Sequence, residues 1–370
     1  MHGTRTAWFG LAAIGWSALG LAFLGRPAEL RPSVPSPAIP PEPPSVAAAP
    51  PALAPVVTVH DPARARPGLN LITAGDAARV LLVDMDGRIL HQWHRALADL
   101  VDAGTERKTG TWARARLLAD GRLLVIVGGV GLVALDRDGE VLWKAAKAAH
   151  DDVDVLPDGR IAVLVRGPRP RQDLSRARVI VEDSVALLSP DGAELGTIPL
   201  VDALLASPFD DWRREPMGGN VLDTTAMAWL ADGSVVLAMR RPGTLSILDP
   251  SARRIDWSRA PKGGAVSDLA LASDGGLVVF ETAPGTARSR VVDRAPETLE
   301  PRWSRDVRSA SGGVVQRLPN GNTLVTPSDD GAAFELAPDG AVVWQLAPFP
   351  RASSSITPYE VERVPIERWP

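Results

Sequence analysis

One phrase recurs through this chain: an apolar run, an Asp-Gly or Asn-Gly pair, a second apolar run and, in three copies, a Trp. It reads LLVDMDGRILHQW around Asp86-Gly87, VALDRDGEVLW around Asp138-Gly139 and FELAPDGAVVW around Asp339-Gly340. A version without the Trp surrounds Asp120-Gly121, Asp158-Gly159, Asp232-Gly233, Asp274-Gly275 and Asn320-Gly321. Such pairs between apolar runs are the strongest short hairpin signal, and the two-residue turn they predict takes positive φ at both residues. Two hairpins in every 40–50 residues or so make a four-stranded unit, and a row of such units predicts an all-β fold, the β-propeller.

The blades can be counted. Full units are predicted over Arg114–Lys147, His150–Leu200, Val221–Ala260, Val266–Asp306 and Gly313–Leu346. Half-units lie at Asn70–Trp93 and Tyr359–Trp369, where YEVERVPIERW alternates with period two. Pairing the halves gives a six-bladed β-propeller whose last strand closes the ring and removes its open edges. Two long loops are expected, 95–112 and 201–219, the second containing DDWRREPMGG. Trp93, Trp143, Trp257, Trp303 and Trp344 are expected to pack between blades.

The N-terminus has a different character. Thr6–Gly25 is an uncharged, apolar stretch long enough to span a bilayer, so residues 1–26 are read as a signal anchor, one transmembrane helix. A cleaved signal peptide is the rival reading. Residues 27–67, rich in Pro and Ala, are read as a disordered, extended stalk, leaving 68–370 for the propeller. This places the chain in the bacterial inner membrane, single-pass, with the ring in the periplasm. A net charge of −4 gives no basic field to recruit nucleic acid. The absence of cysteine excludes disulfides, thiolate metal sites and cysteine nucleophiles.

The segments GLNLITAGDAARVLLVDMDGRILHQW, HDDVDVLPDGRI, QRLPNGNTLVT and ELAPDGAVVWQ, in this order, resemble the bacterial arylsulfotransferase-like propellers. The resemblance spans Gly68 to Trp369. It implies a channel His that takes a sulfuryl group from a phenolic sulfate ester and passes it to a phenol, with His, Arg and Asn neutralising the sulfate. His150 and Asp151 occupy the position where relatives carry His-His-Asp, with Ala149 for the first His. Asp223 and Thr225 stand where a His-x-Asn pattern is expected, and Ser267 precedes Asp268 where a His-Asp pair is. Ser311, Gln316 and Arg317 follow in the last full unit.

His150 and Arg317 are therefore the candidate catalytic residues, with Asp151, Asp223, Thr225, Ser267, Asp268 and Gln316 expected to line the channel. The bland alternatives are a polar turn residue bonded to a neighbouring blade for His150 and an inter-blade bridge for Arg317. Carboxylates in place of histidines would make the channel acidic and repel sulfate. No metal site is specified by spacing, and no cofactor is expected. Three functions stay open. The first is a membrane-tethered, non-catalytic scaffold binding a protein or glycan at one face. The second is a sulfotransferase acting through His150, and the third a quinoprotein-like cofactor module.

Overall fold

The computed structural model describes residues 56–369 apart from short stretches at 75–77, 102–109, 147, 173, 175–178, 210–219, 262–263, 284–285, 287, 296–297, 330 and 348–357. The proposed anchor, most of the stalk and the DDWRREPMGG segment lie outside the described residues.

Six antiparallel sheets follow one another along the chain. Blade I takes Pro358–Val364 as its inner strand, followed outward by Leu69–Ala74, Arg79–Val83 and Ile89–His94. Blade II runs from Trp112–Leu117 to Val141–Ala145, blade III from Ala149–Val155 to Glu194–Pro199 and blade IV from Thr224–Trp229 to Arg254–Arg259. Blade V runs from Ala265–Leu271 to Pro301–Arg308, and blade VI from Gly313–Arg317 to Val342–Leu346. The two ends of the ring meet in blade I, where Leu69 faces Val364 and Thr73 faces Glu360.

Six apolar clusters hold the ring, one between each pair of consecutive blades. Leu82 of blade I meets Val125 of blade II, Ile126 meets Val163 of blade III, and Leu164 meets Leu237 of blade IV. Ala238 then joins Val279 of blade V, Phe280 joins Val325 of blade VI, and Leu324 returns to Leu81 of blade I. Neighbours in one middle strand thus serve opposite interfaces, which is why those strands are continuously apolar rather than alternating. Trp93 and Trp344 are buried in these seams, and each donates its indole N–H to a turn carbonyl of the next blade, Asp136 at 3.1 Å and Met85 at 2.8 Å.

The hairpin turns differ from the expected form. Only the Gly of each pair has positive φ, as at Gly159 (85°) and Gly340 (83°). Gly159 N–H donates to Leu156 O, and Leu156 N–H to Arg160 O, which marks a type I turn closed by a left-handed Gly. The Asp earns its place through its side chain. Asp158 Oδ1 accepts from Arg160 N at 3.0 Å, and Asp120, Asp232, Asp274 and Asp339 accept from the equivalent amide.

The stalk ends earlier than its composition suggests. Val57–His60 is a fifth strand on the outer edge of blade VI, with His60 facing Trp344, and Ala65 beyond it is buried. The chain therefore enters the globular domain near Val57, not Gly68. The expected long loop after Leu200 begins with a short helix, Leu200–Leu205, whose apolar face packs into the seam between blades III and IV.

Candidate functional site

A propeller's inner strands converge on its axis, so side chains alternating along them face either the axis or a seam. Three inner strands here carry charged pairs two residues apart: Glu360 and Glu362 in blade I, Arg114 and Arg116 in blade II, Asp152 and Asp154 in blade III. These pairs meet. Arg114 bonds Asp152 through one terminal nitrogen and Asp268 of blade V at 3.0 Å through the other, with Glu360 at 3.5 Å from its Nε. Arg116 reaches Glu360 at 2.8 Å and lies 3.6 Å from both Glu362 and Asp152. Arg114 is only 4% exposed.

The same residues tie each blade to its successor. Asp152 accepts from Met227 N of blade IV at 2.8 Å. Thr225 donates to Val266 O of blade V at 3.1 Å, and Asp268 accepts from Val315 N of blade VI at 2.8 Å. Gln316 then exchanges two hydrogen bonds with the Arg363 backbone of blade I. With Glu360–Arg116 and Arg114–Asp152, a polar belt runs around all six inner strands. Burying a charge is costly unless it is paired and bonded, and the belt supplies that pairing.

Five carboxylates, on Asp152, Asp154, Asp268, Glu360 and Glu362, surround two guanidiniums. The excess shows in their protonation. Burial first, and then the negative charge of Asp152, push Asp154 up to about 7. Burial likewise lifts Asp268 to about 6 although Arg114 opposes it, and raises Glu362. Burial works against the charge of Arg114, but Asp152, Glu360 and Asp268 outweigh it and hold that guanidinium firmly protonated. Below the belt, near the inner-strand turns, a cavity of about 370 Å³ is walled by Asp154, Pro157, Trp229, Leu271, Gln316 and Glu362.

His150 sits at the opposite end of the channel, in a separate cluster. Its Nδ1 is 3.0 Å from Asp151 Oδ2, and its Nε2 is 3.5 Å from Asp183 Oδ1. Arg166 bonds Asp183 at 2.7 Å and Asp223 at 3.3 Å, and Arg240 bonds Asp223 at 3.1 Å. Asp151 and Asp223 both adopt left-handed backbone, with φ of 52° and 48°, a conformation that Asp tolerates better than most residues. Burial would raise the Asp151 carboxyl, yet the hydrogen bond to His150 and the nearby guanidinium of Arg166 hold it low.

The expected site therefore divides. His150, Asp151 and Asp223 come together. Thr225, Asp268 and Gln316 belong to the belt, and Ser267 donates across a seam to Gly313 O at 3.3 Å. Arg317 does not join His150. It bonds Asp293 of blade V and Gly321 O at 2.7 Å, bridging two blades at the far end of the channel. Arg114, Arg116, Glu360 and Glu362 were missed by motif reasoning. Their signal was the i, i+2 charge spacing in WARARL and YEVERV, which places like charges on one strand face. Among the described residues no group of His, Asp and Glu is arranged to hold a metal, and no helix is long and apolar enough to cross a membrane.

A family model described as outer membrane protein assembly factor BamB matches residues 181–364. A protein of unknown function from Bacteroides caccae superposes with a TM-score of 0.53 at 14% identity, covering 79% of this chain and 97% of that one. The likeness is one of fold. A functionally unknown protein from Desulfotomaculum acetoxidans gives a TM-score of 0.48 at 11% identity over 80% of this chain and 99% of its own. A streptogramin B lyase gives 0.47 at 10% identity over 83% and 87%. Comparison with curated proteins finds none that matches.

Proposed function

We propose that this chain is a non-catalytic propeller that binds a protein partner, tethered to the bacterial inner membrane by its N-terminal segment with the ring in the periplasm. The observation that carries the reading is the state of the channel. Its centre is filled by Arg114 and Arg116, each committed to carboxylates of neighbouring blades. At the other end, His150 Nδ1 bonds Asp151, and its Nε2, buried and without a hydrogen bond, lies 3.5 Å from the buried carboxylate of Asp183.

Sulfuryl transfer through His150 would need a ring nitrogen open to the donor and cations free to stabilise three sulfate oxygens. Arg166 and Arg240 are instead engaged by Asp183 and Asp223. Three nearby carboxylates, on Asp151, Asp183 and Asp223, would repel a sulfate ester. The match of residues 181–364 to a model described as an assembly factor supports a partner-binding role, and the uncharged stretch 6–25 followed by a Pro-rich segment supports the tether.

The test offers a chromogenic aryl sulfate and a phenol acceptor to the wild-type protein and to His150→Ala. Neither should transfer sulfate above background. Turnover in the wild type that disappears in His150→Ala would overturn the non-catalytic reading.

A further inference from the structure

Each blade ends in an outer strand, and the composition of these strands differs. The outer strand of blade IV, RIDWSR, carries three charges, and that of blade V begins with Pro and carries four. Charges and Pro on an edge discourage the addition of a further strand. Blade III ends in Pro199 and carries Glu194, and blade II carries Lys144, whose ammonium donates to Leu100 O. Two outer strands have neither Asp, Glu, Lys, Arg nor Pro: VVWQL of blade VI and ILHQWH of blade I.

The edge of blade VI is already used. Val57–His60 pairs antiparallel with Val342–Leu346, and the chain extends this ladder at both ends, Val56 O accepting from Ala347 N and Asp61 N–H donating to Val343 O, each at 2.8 Å. Val343, the bulge residue of that strand, is only 1% exposed. The pairing register places Leu90 of blade I at the same bulge, since Val83 faces Ile89 and Leu82 faces His91 as Leu336 faces Val342 and Glu335 faces Trp344. Leu90 is 38% exposed, and among the described residues no backbone hydrogen bond reaches the outer side of Ile89–His94. Leu142 of blade II and Leu195 of blade III hold the same bulge position and are also exposed, but their strands carry Lys144 or Glu194 and Pro199. Only the edges of blades I and VI combine an apolar bulge residue with no charge or Pro, and of these two the edge of blade VI is covered.

We infer that the outer edge of blade I, Ile89–His94, is a docking site for an extended segment of a partner protein, which adds as an antiparallel strand and seats an apolar side chain on Leu90. The occupant's chemistry is given by the segment that covers blade VI: uncharged, with β-branched residues alternating with polar ones, as in Val57-Thr58-Val59-His60. Backbone pairing supplies affinity in this mode, and the alternate side chains supply selectivity. The inference rests on the partner-binding reading above and adds the place and the kind of segment bound.

The test uses the full chain and a synthetic peptide with the sequence of residues 55–62, Pro-Val-Val-Thr-Val-His-Asp-Pro. Hydrogen exchange should slow at the amides of residues 89–94 when the peptide saturates. Leu90→Lys, a surface change that leaves the seams intact, should weaken binding by about tenfold or more, and so should N-methylation of alternate peptide amides. Absence of protection at 89–94, or equal binding by Leu90→Lys and wild type, would overturn the site. A blank sulfate-transfer assay alongside that failure would leave the non-catalytic reading standing and remove only this edge. Turnover that needs His150 would remove the reading itself.

Discussion

The two ends of the channel are built from the same kind of strand and use their charges differently. Toward the inner turns, the buried Arg114 and the partly buried Arg116 are pinned between blades I, II, III and V. At the strand starts, His150, Arg166 and Asp223 form a half-buried cluster confined to blades III and IV, with two Asp residues in left-handed backbone. The first arrangement joins residues distant in sequence and neutralises buried charge, so it maintains the ring. The second is local, and apart from the fully buried Asp183 its members are partly open to water, so losing the His150 ring costs less. A His beside an Asp in a propeller channel is therefore a poor guide to chemistry until its other neighbours are known.

Cutting the belt at blade I has the largest expected effect. Deleting Tyr359–Pro370 removes Glu360 and Glu362 and strips the closing strand from Leu69–Ala74. The protein should aggregate rather than remain a soluble monomer, as size-exclusion chromatography would show. A monodisperse, folded product would mean that the belt and the closure are dispensable.

A smaller effect sharpens the same contrast through pH. Asp154 is held at about 7, above the ordinary 3.8, so the folded protein keeps this proton longer than the unfolded chain does. The contribution of Asp154 to stability is then fully present below about pH 4, is lost as pH rises toward 7 and stays lost above that. Asp154→Asn should stabilise the protein by about 1–2 kcal/mol at about pH 8 and by almost nothing at about pH 4, measured by urea unfolding. An equal change at both pH values would show that Asp154 is not charged at a cost.

The hairpin series was legible because its cause is local: an Asp carboxylate and a left-handed Gly within one turn specify each reversal. The ring closure was legible from two half-units with matching alternation. The belt was not, because it forms between residues such as Arg116 and Glu360, separated by 244 positions, and nothing local marks which charges will meet. Arg317 misled for a related reason. It follows the inner-strand pattern, yet Asp293 on the neighbouring blade draws its guanidinium into a bridge. Val57–His60 was hidden by the Pro- and Ala-rich composition before it, although VTVH alternates as an edge strand does.

The most direct test of a channel that holds structure rather than chemistry is the unfolding free energy of Arg114→Leu set beside that of His150→Ala. Removing Arg114 leaves the buried carboxylates of Asp152, Asp268 and Glu360 without their shared cation, and should cost about 3–5 kcal/mol. Removing His150 forfeits one part-buried hydrogen bond and should cost about 1 kcal/mol. Losses of that unequal size in denaturant unfolding are what this account predicts. Equal losses, or an Arg114→Leu protein as stable as the wild type, would contradict it.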